Sequence, residues 1–154
     1  QSIGGLGAPR WDYKTKTAFF GLTSQTRSQD MVRAVAEGIG FLIADIVGAL
    51  RAAGLSPTAA RASGGLSRIG YLLQFQADAL GIPLDRCREA EATALGAASL
   101  AVDASGAGWG DQLRQAKVDR VFKPLMCEDD RKRLLHAWSA FTKAQAALSC
   151  EISL

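Results

Sequence analysis

The chain predicts an α/β fold, and three observations carry that prediction. Strand-like and helix-like segments alternate along it, as they do where helices pack on a largely parallel sheet. A long run over residues 29–53 repeats apolar side chains at helical spacing. A short extended stretch, residues 59–63, passes through Gly64 and Gly65 straight into a second helical run. With 154 residues, 48% of them hydrophobic and 21% charged, the chain suits one domain that buries about 70% of the surface its unfolded form exposes.

Taken in order, residues 1–26 are rich in glycine, proline and aromatic residues. "GGLGAPRW" reads as a loop and "TAFFGLT" (Thr17 to Thr23) as a short buried strand. Ser28 supplies an N-cap, and Asp30 stands in the first turn where the helix dipole favours an acid. The long helix then runs to Ala53, with Val32, Val35, Ile39, Leu42, Ile43, Ile46 and Leu50 facing inward. Arg33 and Glu37 form an i, i+4 structural ion pair on it. Gly38 and Gly40 each cost up to about 1 kcal/mol relative to alanine inside a helix, so close packing against another backbone is expected there.

Gly54 ends that helix and Pro57 blocks its continuation. Next come a strand over residues 59–63, the glycine turn, and a helix from Ser67 to Leu80. "GIPLDRCR" is a second short strand, and "EATALGAASLAVDASG" a small-residue helix that Thr93 caps and that packs closely. Residues 106–110 read as a linker, "DQLRQA" as a short helix and "VDRVFKP" as extended chain. The final helix spans Glu128 to Cys150, with Leu134, Leu135, Trp138, Phe141 and Leu148 inward. "CEDDRKR" opens it with acids before bases, as the dipole prefers.

Composition excludes several functions. A net charge of +3, dispersed along the chain, argues against nucleic acid or a membrane surface as partner. The longest apolar run, Gly38 to Ala44, is far short of the roughly 20 residues that a membrane span needs. Cys87, Cys127 and Cys150 are widely spaced and odd in number, which fits reduced thiols and a cytoplasmic location. His136 is the only histidine, so a zinc site is not expected. It has no partner in sight for a catalytic role. Asp12, Asp78 and Asp85 read as ordinary loop and surface carboxylates, and Trp11 and Trp138 as core or interface aromatics.

The double glycine is the candidate functional feature. A strand that turns sharply into a helix aims unpaired backbone N–H groups at one place, a natural anion site. Glycine lets a phosphate or ribose reach the backbone with no Cβ in the way. Neither a Walker sequence nor the full dinucleotide fingerprint is present, and on these residues alone a plain tight turn is the commoner reading of a Gly-Gly pair between strand and helix.

Five blocks stand in order: "GLGAPRWD", "AFFGLT", "VRAVAEGIGF", "SGGLSRIGYLLQFQADALGIPLDR" and "EATALGAASLA". Together they resemble the C-terminal part of the FGGY family of carbohydrate kinases, nearest to its glycerol kinases. The resemblance covers almost the whole chain. It implies an actin-like, ribonuclease H-like fold in which two domains close over ATP and a sugar or polyol. Residues 1–154 are then the C-terminal domain, truncated on its N-terminal side, with the upstream domain absent; the start at Gln1 fits such a piece. The implied reaction moves the ATP γ-phosphoryl group to a substrate hydroxyl with Mg²⁺, glycerol to glycerol 3-phosphate in the first instance. A pentulose, an erythritol-like polyol, or a non-catalytic nucleotide-binding module are the alternatives.

Through the resemblance, Gly64 and Gly65 match the pair whose backbone lies against the ATP phosphates and ribose. Ser67 and Arg68 stand as polar contacts or as solvated first-turn residues. Ile69 takes the place where glycerol kinases commonly carry an asparagine near the adenine, and Ser63 replaces a frequent aspartate. The catalytic base and most of the Mg²⁺ binding fall to the upstream domain, so no catalytic residue and no metal ligand are assigned to this chain, which is expected to be inactive alone. Apolar surface left uncovered by the truncation predicts a homo-oligomer.

Overall fold

The computed structural model describes residues 5–89, 91–107 and 117–152. Helix α1 is Ser28–Ala52. It is followed by strand β1, Ala60–Ala62, a short 3₁₀ turn, Gly65–Arg68, and helix α2, Gly70–Leu80. Strand β2 is Leu84–Cys87, helix α3 Ala92–Ala104, strand β3 Val118–Phe122 and helix α4 Glu128–Glu151.

The strands form a sheet in the order β1-β2-β3. β1 and β2 are parallel, with Ala60 opposite Leu84 and Ala62 opposite Arg86. A parallel pair needs a crossover, and the 3₁₀ turn with α2 supplies it. β3 returns antiparallel to β2, Leu84 opposite Phe122, with an irregularity between Arg86 and Cys87.

The core lies where α1 and α2 meet the sheet: Val47, Leu73, Ala77, Leu80, Ile82, Leu84 and Phe122. Gly40 sits at the crossing of α1 over α2. A Cβ there would lie 2.6 Å from the Phe75 ring, so this helical glycine is closely packed, against an aromatic side chain of α2 rather than the backbone expected. Beside it, Phe75 meets Phe41 edge-on at 5.1 Å, and Phe41 stacks on Trp138 at 4.8 Å. That aromatic column joins α2, α1 and α4. Asp45 adds a polar clamp, its Oδ2 accepting from Arg10 at 3.2 Å and from Trp138 Nε1 at 3.1 Å.

Several sequence expectations need correction. Thr17–Thr23 forms no strand, and Phe20 is 90% exposed; no described strand runs beside it to complete a ladder. The neighbouring Lys16 backbone is held instead by side chains of α4, Ser149 Oγ at 2.9 Å and Gln145 Nε2 at 2.6 Å. The N-cap of α1 is Arg27 rather than Ser28, and Asp30 Oδ2 accepts the Arg27 N–H at 2.9 Å. Val32 and Leu50 are exposed while Val47 is buried, because the face turned toward α2 follows Gly40 and Val47.

α2 begins at Gly70, so Ser67 and Arg68 belong to the 3₁₀ turn. α3 is capped at Glu91, not Thr93, and buries only Ser99, which removes the expectation of close packing; its small side chains reach no neighbour among the described residues that would bury them. On α4 the inward stripe is Trp138, Thr142, Gln145 and Ser149, and Leu148 is exposed. Gln145 and Ser149 face inward there because they bond the Lys16 backbone, while Thr142 Oγ1 donates to the Trp138 and Ser139 carbonyls of its own helix. Trp11 is exposed, while Trp138 is core as expected. The expected "DQLRQA" helix and most of the 106–110 linker fall outside the described residues. Among the described residues no helix is long and apolar enough to cross a membrane.

Candidate nucleotide site

The site is built on the crossover from β1 to α2. Gly64 follows the last residues of β1 with φ +90°, a conformation that a residue with a Cβ adopts only under strain. The chain then winds into the 3₁₀ turn, where Ser67 N–H and Ser67 Oγ both donate to the Gly64 carbonyl, at 3.1 and 2.7 Å. Ser67 is buried and spends its hydroxyl on this bond, so it locks the turn from within. Ile69 N–H donates to Leu66 at 3.1 Å, and Ile69 in turn caps α2.

The outer surface of the turn is open. A Cβ on Gly64 or Gly65 would meet nothing within 4 Å, and Leu66, Arg68 and Ile69 are exposed. The glycines are therefore not required by packing from within the described residues. The bare backbone at Gly64 and Gly65, with open space where a Cβ would stand, fits a group laid against it from outside. The first N–H groups of a helical turn have no partner within it, and ligands of α/β sheets gather beyond the carboxyl ends of parallel strands. The turn meets both conditions. An apolar surface at Leu66 and Ile69 and an anion-seeking backbone are the chemistry that a nucleotide's base and phosphates require.

Of the predicted site residues, the fold brings Gly64, Gly65, Ser67, Arg68 and Ile69 onto one continuous turn. Two features missed from the sequence flank it. On one side the end of β2 lies beside the turn, and Ser67, Arg68, Arg86, Cys87, Arg88 and Asp119 line a cleft of about 280 Å³. On the other, the Tyr71 hydroxyl donates to Glu37, which also accepts Arg33 Nε at 2.7 Å. The Arg33 guanidinium lies 5.7 Å from the Tyr71 ring. Partial burial first, and the neighbouring Glu37 carboxylate next, push the Tyr71 phenol above its ordinary value. The expected Arg33–Glu37 ion pair is thus present, and it also ties α1 to the start of α2.

The three aspartates have structural partners. Asp12 accepts from Lys14 N–H at 2.9 Å and Thr15 N–H at 3.2 Å. Asp78 accepts from Met126 N–H at 3.1 Å and also from Leu125 N–H. Asp85 pairs with Arg61 at 3.8 Å. His136 is exposed on α4, and Cys87, Cys127 and Cys150 are all free thiols. No group of three or more metal-ligating side chains occurs among the described residues. A larger concavity, about 640 Å³, lies elsewhere, between α1, α4 and residues 18–20. Its walls are mainly Phe19, Phe20, Phe41, Trp138 and Phe141, which offer nothing to a phosphate.

Comparison with known proteins decides the family. Residues 1–105 match the model of the FGGY family of carbohydrate kinases, C-terminal domain. The chain belongs to the FGGY family of carbohydrate kinases. It is 43% identical over 137 residues to a glycerol kinase of Azotobacter vinelandii, covering 87% of this chain and 27% of that protein. It is 44% identical over 138 residues to one from Dechloromonas aromatica, with the same two coverages. Among solved structures, Plasmodium falciparum glycerol kinase with ADP superposes with a TM-score of 0.77 at 28% identity, covering 94% of this chain and 29% of that one. Gluconate kinase from Lactobacillus acidophilus gives 0.76 at 28% identity, covering 98% and 31%. This FGGY chain therefore spans a little over a quarter of the length of these relatives, and its α/β fold is that of a partial C-terminal FGGY domain.

Proposed function

We propose that this chain is the nucleotide-binding part of an ATP-dependent carbohydrate or polyol kinase, with glycerol the foremost substrate. One observation carries the reading: a turn with a left-handed, glycine-favouring φ at Gly64 and an open face at Gly65, placed where a parallel strand enters a helix. In this reading the backbone at Gly64 and Gly65 lies along the ATP phosphates and ribose. Leu66 and Ile69 give the base an apolar contact, and Arg68 offers a charge to the phosphates. Ser67 acts on the turn, not on the ligand. Phosphoryl transfer depends on positioning and on charge stabilisation from both sides of the bound nucleotide, so the base and the Mg²⁺ ligands belong to the upstream domain and this chain alone is inactive.

The relatives named as glycerol kinases support glycerol, and the ADP in the Plasmodium structure supports the nucleotide. The likeness to a gluconate kinase keeps another sugar or polyol as the second reading. Exposed Phe20, Val32, Leu100 and Leu125 support self-association of the chain.

Calorimetric titration with Mg-ATP tests the site through Gly65→Val, which places a branched side chain on the open face while leaving a φ that other residues tolerate. Affinity is expected to fall at least about tenfold, a loss near 1.4 kcal/mol, with unchanged circular dichroism. Equal affinity in the variant would show that the glycines serve the turn alone.

A further inference from the structure

The cleft beside the turn has a charge imbalance that the nucleotide reading does not use. It is lined by Ser67 and Arg68 from the turn, Arg86, Cys87 and Arg88 from the end of β2 and just beyond, and Asp119 from β3. Asp119 is committed to Arg86, whose Nε approaches to 2.7 Å and whose Nη2 also donates to it. Both Arg86 donors converge on one oxygen, Asp119 Oδ2. Ser67 donates to the Gly64 carbonyl. Arg68 and Arg88 are both exposed, and neither forms an ion pair with the described residues. The Arg88 backbone is pinned to β3's approach, its N–H donating to the Lys117 carbonyl at 2.8 Å. Two guanidinium groups with no ion pair among the described residues, from two different parts of the chain, therefore meet at one concavity, whose described lining sets three positive charges against one negative.

We infer that this cleft is a binding site for a phosphate monoester, held between Arg68 and Arg88. A guanidinium presents a planar fork of donors that matches phosphate oxygens bidentately. A dianion balances the excess of two charges, whereas a carboxylate would leave one guanidinium unpaired. At about 280 Å³ the space admits a phosphoryl group with a small appendage. It is below the range of roughly 300–1,000 Å³ usual for larger ligands. The monoester has two possible sources, the terminal phosphate of a nucleotide lying on the glycine turn or a separate small phosphorylated molecule. Arg68 is shared with the nucleotide reading and Arg88 is not, so Arg88 is the diagnostic residue.

The test titrates the full chain with inorganic phosphate and follows amide and arginine Nε–H resonances by ¹⁵N NMR. A saturable shift is expected at Arg86 to Arg88 and at Arg68. Arg88→Ala should weaken phosphate at least about tenfold. Arg88→Lys, which keeps the charge but loses the fork, should fall between. Arg133→Ala, an exposed arginine on α4 paired with Asp130, should change nothing. Adding ADP then separates the sources: competition with phosphate identifies the nucleotide's own terminal phosphate, and simultaneous binding identifies a second ligand. An absent or unsaturable phosphate shift, undiminished binding by Arg88→Ala, or an equal loss in Arg133→Ala overturns the inference. The phosphate arm contains no nucleotide, so its failure and that of the nucleotide reading are distinguishable.

Discussion

α2 and α3 are apolar helices of similar length, 11 and 13 residues, and their fates in the fold differ. α2 buries Leu72, Leu73, Phe75, Gln76, Ala77, Ala79 and Leu80; α3 buries Ser99 alone. The difference comes from side-chain size and position in the topology. α2 is the crossover between two parallel strands, so one face must lie on the sheet, and α1 closes over the other through Gly40 and Phe75. α3 leaves the sheet after β2 and carries alanine, glycine and serine where α2 carries leucine and phenylalanine. The candidate turn stands on the well-packed helix, and rigid support is what the proposed binding role requires.

Paired substitutions in α2 and α3 test the difference. The largest effect is expected for Leu73→Ala, which removes a side chain 1% exposed from the centre of the core and should cost about 2–5 kcal/mol. Leu100→Ala on α3, where the leucine is 67% exposed, should stay within about 0.5 kcal/mol. Urea unfolding midpoints of the two variants measure both, and equal losses would mean that α3 is as firmly packed as α2. A smaller effect of opposite sign is expected from Gly96→Ala. A Cβ there meets nothing within 4 Å, so the helix should gain roughly 0.5–1 kcal/mol. A loss of stability would reveal a neighbour against α3.

Much of the fold was legible because long-period apolar patterns and end signals act locally. α1, α2, α4 and the three strands fall near their expected places, and Gly54 ends α1 as its position suggests, with Leu55 N–H returning to the Leu50 carbonyl at 3.0 Å. What the sequence hid is non-local. Whether "TAFFGLT" becomes a strand depends on a neighbouring strand, and none of the described strands lies beside it. The inward polar stripe of α4 makes sense only once the Lys16 backbone is known to pass alongside. Asp45, a lone acid within the apolar run of α1, was the available signal for the clamp that holds Arg10 and Trp138. At the site, the sequence identified the turn and its order. The arginine cleft could not be read there, because Arg68, Arg86 and Asp119 meet only through the register of β1 on β2 and β2 on β3.

The turn from Gly64 to Tyr71 is proposed to receive a nucleotide. Titrating the ¹⁵N-labelled chain with Mg-ATP tests it most directly. Saturable amide shifts are expected on Gly64, Gly65, Leu66, Arg68 and Ile69, with α3 and the far end of α4 unmoved. A saturating titration that leaves residues 64–71 unperturbed would contradict it.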